Sequence, residues 1–151
     1  MAPLHSTPRF TQIQSDVDKV EGFLLSVNIA VWDVFLEYQE THHIVGHLGE
    51  IGVYKGKSAI ILAHHQQSGE QLWLVDFSDF IEEAKRNIDP LTTHEVRYLK
   101  QKSVTLHRSP ALLPHRRSFR WIHIDGEHTG QAVASDLAIA HQLIKAWSEE
   151  G

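Results

Sequence analysis

From His42 onward, short apolar runs alternate with segments of helical periodicity, and this alternation restricts the fold more than any other feature. "HIVGHLGEI" reads as a strand ending near Glu50, "KSAIILAHHQ" as a helix, "QLWLVD" as a strand and "SDFIEEAKRNI" as a helix. "HEVRYLKQK" is expected to be a short helix, "SVTLHRS" the third strand, "FRWIHID" the fourth, and "QAVASDLAIAHQLIKAW" a long closing helix. Strands separated by helices at this cadence pack as parallel β-α-β units with right-handed crossovers. The expected fold class is therefore α/β, a doubly wound parallel sheet, carried by residues 42–151. Upstream, residues 1–14, with Pro3 and Pro8, read as a loose, flexible arm. Residues 15–41 read as one amphipathic helix, capped at Ser15 and covering the core through Val17, Val20, Leu24, Val27, Val31, Val34, Phe35 and Tyr38.

At 151 residues one domain is expected, with enough chain to bury a sizeable core. The net charge of −5 supplies no basic footprint, which argues against nucleic acid or an anionic membrane as partner. There is no cysteine, so disulfides, thiol chemistry and cysteine-ligated metals are excluded. The opening "MAPLHSTPRFTQIQ" lacks the apolar core of a signal peptide, and no run approaches a membrane span, so a soluble, cytoplasmic protein is expected. His42-His43 and His64-His65 lack the i, i+4 spacing of a helical metal pair, and both are expected to be solvated.

In a doubly wound sheet, ligands bind beyond the carboxyl ends of the strands, at the topological switch point. That rule selects Glu50 and Gly52 after the first strand, Asp76 after the second, Ser109 after the third, and Asp125 with Gly126 after the fourth. "GEIGVYKGKSA" approximates a phosphate-binding loop, but only Val53, Tyr54 and Lys55 separate its glycines where that loop needs four residues. A pyrophosphate beside Glu50 would also be repelled, on the order of a few kcal/mol at an effective dielectric near 20. A cationic ligand suits the site better. S-adenosylmethionine has an ammonium, a sulfonium and no phosphate. Its carboxylate would sit on the helix start near Gly56 and on the Ser58 hydroxyl, and Asp76 would accept the ribose hydroxyls. Lys55 and Lys57 are expected as solvated loop charges.

"GEIGVYKGKSAIILA" resembles the first motif of class I S-adenosylmethionine-dependent methyltransferases, E-x-G-x-x-x-G-x-S, and "WIHIDGEHTGQAVASDL" resembles the I-D-G-x-H…D-L segment of one branch. That branch includes macrolide-sugar O-methyltransferases and cephalosporin-hydroxylase-like proteins, and the resemblance covers about residues 46–151. It implies a Rossmann-like cofactor domain in which Glu50, Gly52 and Gly56, with Val53 and Tyr54 between them, shape the methionine end of the site. It further implies that Asp76 binds the ribose, Phe77 lies beside the adenine and Ser109 near the adenine edge. Asp125, at the cofactor, would hold a Mg2+-like divalent ion, and His128 would be the general base. Independently, a hard cation on Asp125 would lower an acceptor hydroxyl's pKa, and a neutral histidine could take its proton near neutral pH. Glu127 is expected to be solvated and Asp136 to be a helix-face charge.

Relatives continue past the long helix with a Gly-Gly turn, a strand ending in an acidic pair and two further strands, so this chain is expected to be a fragment, a truncated product or a partner-completed half. An exposed edge on the fourth strand, or the N-terminal helix, would then serve homo-oligomerisation. The leading expectation is O-methylation of a hydroxylated small molecule, with a sugar as one candidate. The competing readings are a P-loop NTPase using Asp125 for magnesium and a non-catalytic, methyltransferase-like interaction module.

Overall fold

A computed structural model describes residues 7–145. Helices α1 (Pro8–Val17) and α2 (Ser26–Thr41) precede β1 (His47–Ile51), α3 (Ala59–His64), β2 (Gln71–Asp76), α4 (Ile81–Ile88), β3 (Glu95–Lys100), β4 (Phe119–Ile124) and α5 (Gly130–Leu143). The four strands form one parallel sheet in the order β3-β2-β1-β4. The chain steps outward from β1 to β3, then returns to place β4 on the other side of β1. The switch point therefore lies between the carboxyl ends of β1 and β4.

Two apolar layers cover the sheet. One gathers Leu48, Leu72 and Leu74 from the strands with Ile13 and Val17 of α1, Ile29 and Leu36 of α2, Ile60 to Leu62 of α3, and Ala84 and Ile88 of α4. The opposite face packs Ile51, Trp73, Val75 and Phe119 against Leu106, Leu112, Ile139 and Leu143. Each fully buried Leu or Ile contributes roughly 1.5–3 kcal/mol. β2 is buried through Leu72 to Val75, as a central parallel strand requires.

Several boundaries differ from expectation. Residues 8–17 are helical, not a loose arm: Thr7 caps Phe10 N–H, Pro8 occupies the first turn, and Ile13 is buried. The single helix expected over 15–41 is two helices, with a break around Gly22 at φ 142°, and Ser15 lies inside the first. "EVRYLK" is β3 rather than a helix, because Val96 and Tyr98 alternate inward between exposed Glu95 and Arg97. "SVTLHR" is a 3₁₀ segment rather than the third strand.

The inward face of α2 is also not the expected one. Ile29, Asp33 and Leu36 are buried, whereas Val27, Val31, Val34, Phe35 and Tyr38 are exposed. Polar contacts select this phase. His65, fully enclosed, meets Asp33 Oδ1 at 2.9 Å through Nε2 and Glu40 Oε1 at 2.6 Å through Nδ1, and Arg9 reaches Glu40 Oε2 at 2.6 Å. His64 contacts Asp16 of α1 at 3.0 Å. The His64-His65 pair is thus structural, not solvated, while His42 and His43 are exposed as expected. Nearby, buried Arg120 of β4 donates to Glu70, Gln39 and the His65 carbonyl, tying α2 and α3 to the sheet.

These networks make two predictions. His65→Leu removes both ring contacts, one to buried Asp33 and one to half-buried Glu40, and should cost about 3–5 kcal/mol in urea unfolding. For Asp16, burial opposes ionisation, but bonds from Lys19, Gln12 and His64 outweigh it and lower the carboxyl from 3.8 to about 2. A depressed folded-state value stabilises above the unfolded value and loses that contribution as pH falls. Stability should therefore decline from pH 3.8 toward about 2, and Asp16→Asn should flatten that slope in acid-unfolding curves.

Candidate functional site

The ends of β1 and β4 approach so closely that only glycine fits between them. Gly52 has φ 88°, and a Cβ there would stand 2.1 Å from the Asp125 carbonyl oxygen. Backbone bonds lock the junction: Gly52 N–H donates to Val75 O, and Asp125 N–H to Ile51 O, each at 2.8 Å. Beside it opens a cavity of about 310 Å3, lined by Ile51, Gly52, Tyr54, Val75, Asp76, Phe77, Gln101 to Val104, and Asp125 to Glu127. Its volume is at the lower end of the usual range for small-ligand sites.

Asp76 ends β2 at the cavity wall. Its Oδ2 accepts the Tyr54 N–H at 2.8 Å, and its Oδ1 accepts the Ser78 N–H and hydroxyl at 2.8 and 2.7 Å. These contacts fix the carboxylate and leave open acceptor capacity on Oδ2, which takes one bond where Oδ1 takes two. Phe77 projects beside it, 64% exposed, an apolar ring face open to a planar partner. Tyr54, at φ 49°, packs edge-on against Phe80 at 4.5 Å. Asp76, Asp125 and Glu127 face only Lys102 among charged lining residues, so the cavity wall disfavours a polyphosphate.

Behind Gly52, Glu50 is 1% exposed. Its Oε1 accepts the Ser58 hydroxyl and lies 2.6 Å from His123 Nδ1, whereas Oε2 is buried without a hydrogen-bond partner among the described residues. A buried, half-satisfied carboxylate is costly unless a donor or cation completes it. Burial works against charging His123, but the Glu50 carboxylate, with Asp125 contributing, outweighs it and holds the ring's pKa above the ordinary value. On the other wall, the Asp136 carboxyl is fully enclosed, with Oδ2 2.9 Å from where a Gly126 Cβ would stand, and burial pushes its pKa up. It is a buried group beneath the site, not a helix-face charge.

The structure thus assembles Gly52, Tyr54, Asp76, Phe77 and Asp125 around one cavity, whose lining does not include Glu50 or Ser58. The Ser58 hydroxyl donates to Glu50. Val53 is a core residue, and Gly56 at φ 87° lets the loop close on Ala84 and Ile88 of α4; neither lines the cavity. Ser109 is 2% exposed at the end of the 3₁₀ segment, away from the lining, because the third strand ends at Lys100 and hands its place to Gln101 to Val104. His128 is 83% exposed in its side chain, with Nε2 3.8 Å from Asp125 Oδ1, and lies outside the lining. Glu127 lines the cavity while remaining exposed. The sequence reading missed Gln101 to Val104 and His123. Val-x-Tyr alternation before Gln101 carried the signal for the first group; nothing local distinguishes His123, whose role comes from pairing with β1.

Among the described residues no group of three or more potential ligands comes together, so the residues present do not complete a site around Asp125. No helix among them is long and apolar enough to cross a membrane.

The chain is similar to an O-methyltransferase from Bacillus cereus, solved in complex with SAH, with a TM-score of 0.59 at 18% identity, covering 91% of this chain and 64% of that one. It is also similar to a protein from Klebsiella pneumoniae assigned as an O-methyltransferase, with a TM-score of 0.55 at 18% identity, covering 91% and 63%. The chain therefore spans a little under two thirds of the length of these structures, and at this identity the likeness is one of fold. No curated protein sequence matches it. A model of the methyltransferase domain matches residues 50–147, well over half of the chain and spanning the cavity from Glu50 through α5, and the chain belongs to that methyltransferase-domain family.

Proposed function

We propose that this chain binds S-adenosylmethionine in the switch-point cavity and forms the cofactor-binding part of an O-methyltransferase acting on a hydroxylated small molecule. The observation that carries the reading is the charge arrangement: a buried Glu50 oxygen without a partner, behind a cavity walled by Asp76, Asp125 and Glu127. That arrangement suits a ligand with a cationic amino-acid end and a neutral nucleoside. Polyphosphate ligands are opposed by the same charges, which disfavours the NTPase alternative.

When bound, the cofactor supplies an electrophilic methyl group on a sulfonium. The chain's own residues do the rest of the work in this reading. Asp76, already oriented by Tyr54 and Ser78, accepts ribose hydroxyl protons, and Phe77 covers a purine face. Gln101 to Val104 close the adenine side in the place expected of Ser109. Glu50 Oε2 receives the ammonium. His128, exposed beside Asp125, would take the proton of the acceptor hydroxyl. No step is drawn through a metal, since the donor set around Asp125 is incomplete among the described residues. A sugar acceptor is consistent with the resemblance of the I-D-G-x-H segment.

Calorimetric titration with S-adenosylhomocysteine should show saturable binding, weakened about tenfold or more by Asp76→Ala, since a lost hydrogen bond to a charged group is worth about 1.5–3 kcal/mol. Magnesium ATP should give no heat of binding. Saturable ATP binding, or none with the thioether, would refute the assignment.

A further inference from the structure

The register of the β1–β4 ladder sets Glu50 directly opposite His123. The contact between them at 2.6 Å is one of two that converge on the same carboxylate oxygen, the other coming from Ser58. The second oxygen is buried and has no hydrogen-bond partner among the described residues. His123 is held in turn by α2: the Trp32 ring stands edge-on to it at 4.4 Å, and Trp32 packs against Trp121 at 5.4 Å. Neither Trp32 nor His123 lines the cavity.

We propose that His123 is a positioning residue for the amino-acid end of the cofactor, acting through Glu50. This inference rests on the S-adenosylmethionine reading above. Donation from Nδ1 saturates Oε1 together with Ser58 and fixes the rotation of the carboxylate. Oε2 is then the oxygen left without a partner among the described residues, and the carboxylate holds it in one orientation for the ammonium. With Ser58 as the only remaining donor, the carboxylate is free to turn and to share its charge between two orientations. Trp32 makes the arrangement depend on α2, so a helix outside the cavity contributes to cofactor affinity.

A pair of ligands separates this role from a merely structural one. S-adenosylhomocysteine carries the ammonium, whereas 5′-methylthioadenosine lacks the whole amino-acid end and makes no demand on Glu50. Calorimetry on the whole chain should show His123→Leu weakening the first about tenfold while the second stays within about twofold. His123→Gln, which moves the amide away from the Nδ1 position, should behave like Leu. His123→Asn, whose amide nitrogen replaces Nδ1, should restore most of the affinity. Unchanged S-adenosylhomocysteine binding in the Leu and Gln variants, or equal loss of both ligands in both, would overturn the proposal while leaving the cofactor reading intact. Failure of the wild-type chain to bind either ligand would instead overturn the cofactor reading, and this inference with it.

Discussion

A buried carboxylate at the end of the first strand organises this molecule. Glu50 is enclosed by the sheet and the helices over it, and its two contacts come from different places, the loop before α3 and the neighbouring strand β4. Charge enclosed in this way is tolerated only when donors satisfy it, and here they satisfy one oxygen of two. In the proposed cofactor reading, a cationic ligand group would satisfy the remaining acceptor. The acids at the cavity wall point the same way, so the charge arrangement selects against phosphate-rich ligands before any specific contact is considered.

A second buried network decides how the N-terminal helices lie on the sheet. In α2, Ile29, Asp33, Leu36 and Glu40 form one stripe at helical spacing, and Val27, Val31, Val34, Phe35 and Tyr38 form another. The second stripe is apolar, yet it faces outward. His65, at the end of α3, contacts Asp33 and Glu40 together, and burying Asp33 without such a partner is costly. The same rotation brings Trp32 over His123. The helix phase set by one histidine therefore reaches the acid behind the cavity.

Much of the candidate site was legible because strand ends can be read locally. "QLWLVD" and "FRWIHID" end where their apolar runs end, so Asp76 and Asp125 fell at the cavity, as did Gly52 after the first strand. Ser109 failed with the third strand: "SVTLHR" has strand-like composition but folds as 3₁₀ turns, while the charged flanks of "EVRYLK" masked an edge strand. Edge strands tolerate exposed charge on alternate positions, which blurs the apolar signal. Gly56 was expected to shape the methionine end of the site; its φ of 87° brings the loop against Ala84 and Ile88 of α4. His128 follows Asp125 at the expected spacing, yet spacing cannot state exposure, and the ring stands in solvent.

By itself the sequence determined the alternation of strands and helices, the parallel α/β class, the acids at the ends of β1, β2 and β4, and a glycine spacing unsuited to phosphate. All of these are properties of short stretches, set by side-chain periodicity, turn chemistry and charge. Tertiary structure alone decided which face of α2 turns inward, that His65 is core while His43 is surface, that Gln101 to Val104 replace Ser109 at the cavity, and that His123 stands opposite Glu50. The physical reason is that a local pattern specifies a period but not its phase or its partner. Those depend on groups far apart in the chain satisfying one another where water cannot.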